Sequence, residues 1–112
     1  MATHWTLGCD AADPHRIAAF WAQALGYVSE PGYEDEDGAS IIDPAGRGPA
    51  IGFLRVPEPK TAKNRMHFDL RAPDGDVAAE VARLTALGAT VVRVGEDLTV
   101  MQDPGGNEFC VE

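Results

Sequence analysis

Apolar and polar positions along the chain change their spacing in a regular order. Residues 64–72 alternate: Met66, Phe68 and Leu70 against His67, Asp69 and Arg71. A period of two predicts a strand with one apolar face, and it puts His67, Asp69 and Arg71 together on the other. Residues 13–26 keep a different spacing. Ile17, Phe20, Trp21, Ala24 and Leu25 fall on one stripe of a 3.6-residue period, which predicts an amphipathic helix packed on a core. Asp13 suits its N-cap, Pro14 its first position and Gly26 the left-handed residue after its end. A second stripe, Val77, Val81, Leu84 and Leu87, predicts a second helix, capped by Asp74 or Asp76 and stopped at Gly88.

The rest of the pattern repeats around these helices. A short strand is expected before each, over residues 4–9 and 66–72. Three follow each: near 27–29, 39–43 and 50–56 in the first copy, and near 90–94, 98–102 and 108–112 in the second. Local matches support a duplication. AlaLeuGly recurs at 24–26 and 86–88, AspPro-x-Gly at 43–46 and 103–106, and HisTrpThrLeu at 4–7 answers HisPheAspLeu at 67–70. The three matches keep the same order at a nearly constant offset. The AspPro segments are turn chemistry between the last two strands of each copy. Residues 57–63, beginning Pro57-Glu58-Pro59, form an extended connector. The expectation is one α+β domain over 1–112, written as βαβββ twice, with repeat one over about 3–56 and repeat two over about 64–112.

Composition narrows the function. The 112 residues are 45% apolar and 24% charged, as in an ordinary soluble domain, with a net charge of −9. That charge repels phosphates, so neither nucleic acid nor an anionic membrane surface is an expected partner. No run is long enough to span a bilayer and no basic-then-apolar leader opens the chain, so a cytoplasmic location is expected. The acids cluster in Glu34-Asp35-Glu36-Asp37, read as a solvated turn, with a cation site as the alternative. His15 falls on the exposed first turn of the first helix and is read as solvated. Parity puts Cys9 with Trp5 and Leu7 on an apolar face, and Cys110 opposite Phe109 and Val111. A Cys9–Cys110 disulfide is therefore not expected. No glycine-rich phosphate loop and no Gly-x-Ser-x-Gly elbow is present.

Together, Phe20-Trp21…Ala24-Leu25-Gly26, residues 64–70 (NRMHFDL), residues 86–90 (ALGAT) and residues 103–109 (DPGGNEF) make the chain resemble the vicinal oxygen chelate superfamily. This is the glyoxalase, bleomycin-resistance and extradiol-dioxygenase group, and the likeness is to its glyoxalase-like domain branch. The resemblance covers essentially the whole chain. It implies that the βαβββ units form a curled mixed sheet, a half-barrel around a central cavity with helices outside, and that chains pair as homodimers. It also implies four metal ligands of His, Gln or Glu type, from the first and last strand of each unit.

Tested residue by residue, that set is incomplete. His67 falls on a ligand position. Cys110 stands where the family pattern has Glu. In the first copy the position is Thr6 by counting back from Gly26, or His4 by the internal repeat. The last strand of that copy, residues 50–54, offers no ligand. The expectation is a cavity for a small molecule, lined by His4, Thr6, His67, Asp69, Arg71, Cys110 and Glu112. The protein would be a binding protein or metal-free member with no cofactor, its charge favouring a cationic guest. The alternative is a divalent-metal-dependent lyase, isomerase or dioxygenase acting on vicinal oxygens. Its ion would be held by His4, His67 and Glu112, with Glu108 as a substitute carboxylate. Two further readings are a metal-free enzyme with His67 as general base, and a Cys110–His67 nucleophile pair.

Overall fold

The computed structural model describes residues 2–112. The chain divides into two compact units, Met1–Pro59 and Lys60–Glu112. In the first, β1 (Leu7–Ala11) leads into α1 (Pro14–Leu25), then β2 (Val28–Ser29), β3 (Gly38–Ile42) and β4 (Ile51–Arg55). In the second, β5 (Asp69–Leu70) precedes a short 3₁₀ turn (Pro73–Gly75) and α2 (Val77–Leu87), then β6 (Thr90–Val94), β7 (Thr99–Gln102) and β8 (Glu108–Val111). The βαβββ order is present in both.

Each unit has its own four-stranded mixed sheet, in the order β1-β4-β3-β2 and β5-β8-β7-β6. The first and last strands of a unit run parallel and the remaining neighbours antiparallel. The expected half-barrel around a central cavity is not what forms. Both sheets are open, with β1 and β2 as the edges of one and β5 and β6 as the edges of the other. Adjacent strands twist by only about 20–25°, and small closed barrels take about eight strands. Four strands fall short of wrapping around anything.

The helices begin and end as their sequences dictate. The Asp13 carboxylate accepts the Arg16 N–H at 3.3 Å, Pro14 fills the first helical position, and Gly26 takes the left-handed conformation at φ 72°. In α2, Asp76 rather than Asp74 is the cap, accepting the Ala79 N–H at 3.1 Å. Asp74 instead sits in the preceding turn at φ 57°. The burial of the two helices differs. Pro14, Ile17, Ala18, Phe20, Trp21 and Ala24 are buried along α1, with the Phe20 and Trp21 rings edge to face at 5.1 Å. On α2 only Glu80 and Leu84 are buried. Glu80 lies inside the apolar stripe and is held by a two-point pair with Arg83 at 2.7 and 2.9 Å, which lowers its pKa.

The AspPro turns are built alike. The Asp43 carboxylate accepts the Ala45, Arg47 and Gly48 N–H groups, and Asp103 accepts those of Gly105 and Asn107. The acidic run is a turn that its neighbours hold in place. Asp35 N–H donates to the Gly38 carbonyl, and Arg55 donates to the carbonyls of Glu36 and Ala12. His15 is not simply solvated, because its Nε2 lies 2.7 Å from the Asp35 carbonyl. No helix among the described residues is long and apolar enough to cross a membrane.

Candidate functional site

In the second unit the strand register assembles a three-residue cluster. Asp69 lies opposite Cys110 in the parallel β5–β8 pair, and the Cys110 N–H donates to the Phe68 carbonyl. His67 precedes Asp69 by two residues, so its side chain emerges on the same face. Phe109 and Val111, which alternate with Cys110, are buried. They hold the other face in the core and leave Cys110 half-buried on this one.

One donor atom from each of His67, Asp69 and Cys110 lies within 4.8 Å of the other two. His67 Nδ1 is 2.8 Å from Asp69 Oδ1. A carboxylate only accepts, so Nδ1 is the donor in this contact. The pKa of the Cys110 thiol is raised by burial first, then by the Asp69 charge and its hydrogen bond to Asp69; Lys63 and Arg93 oppose the rise. Cys110 is therefore a protonated donor at neutral pH, not a ready nucleophile.

The other acids on and just after β8 are engaged elsewhere. Glu108 accepts the Asn64 N–H at 2.8 Å and pairs with Lys60 Nζ at 3.1 Å. The Asn64 bond is the main cause of a Glu108 pKa lowered to about 2, and Lys60 adds to it. Glu112 sits 3.9 Å from Arg71 Nε, both side chains exposed. Neither belongs to the cluster.

The four-ligand set implied by the resemblance does not fit these residues. Of its His, Gln and Glu donors the second unit retains one imidazole, beside a thiol and a carboxylate on neighbouring positions. What remains is an incomplete metal-ligand cluster of His67, Asp69 and Cys110. Asp69 was legible only as a cavity residue. Its role as a donor follows from the β5–β8 register.

His4 and Thr6 belong to the first unit. There an open hollow of about 800 Å³ lies over the sheet. Gly8 and Gly52, which are register partners, line it beside Ser40 and Leu54. His4 and Thr6 stand along it, and Asp10, Glu30, Glu34, Asp35 and Asp37 add five carboxyl groups. Tyr33, 64% exposed, also lines it. Ser40 Oγ donates to Glu30 at 2.7 Å, fixing one of the acids. None of these carboxyl groups was named as a cavity residue from the sequence. The acidic run was legible as a turn, but its place beside β1, β3 and β4 depends on long-range pairing.

Two open βαβββ sheets, each with a helix packed on it, define the class of fold. The chain belongs to the glyoxalase-like domain family, whose model matches residues 6–112. No curated protein matches it. Among solved structures it is similar to a glyoxalase/bleomycin resistance protein/dioxygenase family enzyme from Burkholderia phytofirmans PsJN. That likeness has 18% identity over 95% of this chain and 94% of the other, with a TM-score of 0.76. It is similar to a possible glyoxalase from Bacillus cereus at 18% identity over 99% and 98%, TM-score 0.75. The fosfomycin resistance protein FosX from Listeria monocytogenes shares 11% identity over 100% and 90%, TM-score 0.76. At such identities the likenesses establish the fold alone.

Proposed function

We propose that this glyoxalase-like protein binds a small cationic molecule over the sheet of its first unit, without the oxygen-and-nitrogen metal set of its metal-using relatives. The observation that carries the reading is the acid-lined hollow. Its volume of about 800 Å³ is in the range of ordinary ligand sites. Five carboxyl groups make it a poor host for anions, and an exposed tyrosine beside them offers a ring face to a cation.

The names of two similar proteins supply probes of opposite charge: bleomycin, a cation, and fosfomycin, an anionic phosphonate. Calorimetric titration at low salt is expected to give saturable heat with bleomycin and none with fosfomycin. Asp37→Asn together with Asp10→Asn should weaken the bleomycin signal. Equal binding of both probes, or binding of fosfomycin alone, would sink the reading.

A second reading, a divalent-metal-dependent lyase, isomerase or dioxygenase, is favoured by one observation, the His67–Asp69–Cys110 cluster. Elemental analysis of protein purified without chelator separates the two. A stoichiometric ion that disappears in His67→Ala supports the second. Assembly as a homodimer belongs to the same proposal. The exposed apolar residues Val91, Val92 and Val94 on edge strand β6 support it, and light scattering tests it.

A further inference from the structure

The acidic turn 34–37 borders the hollow of the first unit, and two basic side chains grip its backbone while leaving most of its carboxylates alone. Three successive carbonyls are taken. Asp35 O accepts from His15 Nε2 at 2.7 Å, and Glu36 O from Arg55 Nε and Nη2 at 3.3 and 3.2 Å. Asp37 O accepts the Arg55 N–H at 2.7 Å. Arg55 Nη1 also reaches the carbonyl of Ala12, just after β1, at 2.8 Å. One guanidinium thus joins the strand that carries Asp10 to the turn that carries Asp35 and Asp37. We propose that Arg55 and His15 are positioning residues for the hollow, holding the turn by its carbonyls so that its carboxylates stay presented to a cationic guest. The inference rests on the reading that such a guest binds there.

The donor pattern is what carries it. Hydrogen bonds from a guanidinium to a carboxylate are about twice as strong as those to a neutral acceptor. An arginine beside a run of acids would ordinarily pair with one of them. The Arg55 fork instead gives Nε, Nη1 and Nη2 to neutral carbonyls. Among the described residues, no lysine or arginine pairs with Asp10, Glu30, Glu34, Asp35 or Asp37; Glu34 lies 3.9 Å from His15 Nε2. The charge of the hollow is left for a guest to neutralise. Neither Arg55 nor His15 lines the hollow.

The grip has work to do, because four consecutive acids repel one another and a free turn would spread them into solvent. Further contacts set the same shape. The Asp37 N–H donates to Asp35 Oδ1 at 2.8 Å, and the Asp35 N–H to the Gly38 carbonyl at 3.0 Å. Gly38 brings the turn hard against β4, where a Cβ would meet the Phe53 carbonyl at 2.7 Å.

The test is calorimetric titration of bleomycin at two salt concentrations into the wild type and four variants, each checked for native circular dichroism. The two roles Arg55 could play predict opposite signs. Acting by charge alone, Arg55 repels a cation, and Arg55→Gln would tighten binding. As a positioning residue its loss weakens binding by about tenfold and flattens the salt dependence, since fewer carboxylates meet the guest. Arg55→Lys keeps the charge without the fork and weakens binding too. His15→Ala weakens it by about threefold, and His15→Gln, whose amide N–H can serve the same carbonyl, restores it. Should Arg55→Gln not fold, Arg55→Lys and the His15 pair decide. Unchanged or tighter binding in Arg55→Gln, weaker binding with the wild-type salt dependence, or His15→Gln no better than His15→Ala overturns the inference and leaves the cation reading standing. Failure of the wild type to bind bleomycin removes that reading, and this inference with it.

Discussion

In the first unit Gly8 lies opposite Gly52; in the second Asp69 lies opposite Cys110. These are the same place in the two repeats. Both are pairings of a first strand with a last strand, and the last-strand residue is flanked by a buried pair, Ile51 and Phe53 or Phe109 and Val111. Two residues before the first-strand partner stands Thr6 in one unit and His67 in the other. One scaffold thus presents a bare glycine floor under an acidic hollow, and elsewhere two donors on a ladder with His67 just before it. After the duplication the backbone plan was kept while the chemistry of one face diverged. The register also resolves which residue answers His67. It is Thr6, because His4 is two residues too early.

The units differ in how they hold their helices, and the largest expected effect tests that difference. The α1 stripe is closed by Trp21, 2% exposed, against Phe20. Trp21→Ala should cost about 3–5 kcal/mol in urea denaturation. A loss below about 1 kcal/mol would mean that α1 is held by something other than its apolar stripe.

Much of this plan was legible in the sequence, and for physical reasons. Caps, turns and stripes are local. Asp13, Gly26, Gly88 and the AspPro turns act within a few residues, so Asp13, Gly26 and Gly88 could be placed at helix ends and the AspPro segments between strands. Strand faces follow from parity alone. What was not legible depends on partners far along the chain. Whether four strands close or stay open is decided by sheet order. Glu80, in line with Val77, Val81 and Leu84, reads as an error in the stripe until Arg83 is seen to pair with it. His15 reads as solvated until the Asp35 carbonyl is placed beside it. Asp69 becomes a donor only once Cys110 is its cross-strand neighbour.

A middle-sized effect concerns Glu108. Ala50 answers it in the first repeat, counting two residues before Gly52 as Glu108 precedes Cys110, so the first unit has no counterpart of this acid. Glu108 ties the connector residue Lys60, and Asn64 just after the connector, to β8. Its pKa is lowered from 4.5 to about 2. A group whose folded pKa is depressed contributes stability above its unfolded value, and that contribution is lost as pH falls through the folded one. The contribution is therefore complete above pH 4.5 and drains away toward pH 2. Glu108→Gln should lower stability at pH 7 by about 1–2 kcal/mol and flatten the acid limb of the stability curve in that window. An acid limb identical in the variant and the wild type would show that Glu108 is not what fastens the connector.

The smallest effect asks whether the glycine floor is kept for the fold or for the hollow. Gly52 sits on β4, between β1 and β3, where glycine weakens a strand. A Cβ added there meets nothing within 4 Å, and the same holds at Gly8. The backbone therefore has no steric need of glycine at either place. Gly52→Val should raise stability by about 0.5–1 kcal/mol in the same urea measurement. It should also weaken bleomycin binding, because the side chain rises into the hollow that Gly8 and Gly52 leave open. Higher stability with weaker binding means that the two glycines are retained for the guest at some cost to the strand. Higher stability with unchanged binding would move the guest off the first sheet. Lower stability would return Gly52 to a purely structural role and remove the contrast with Cys110.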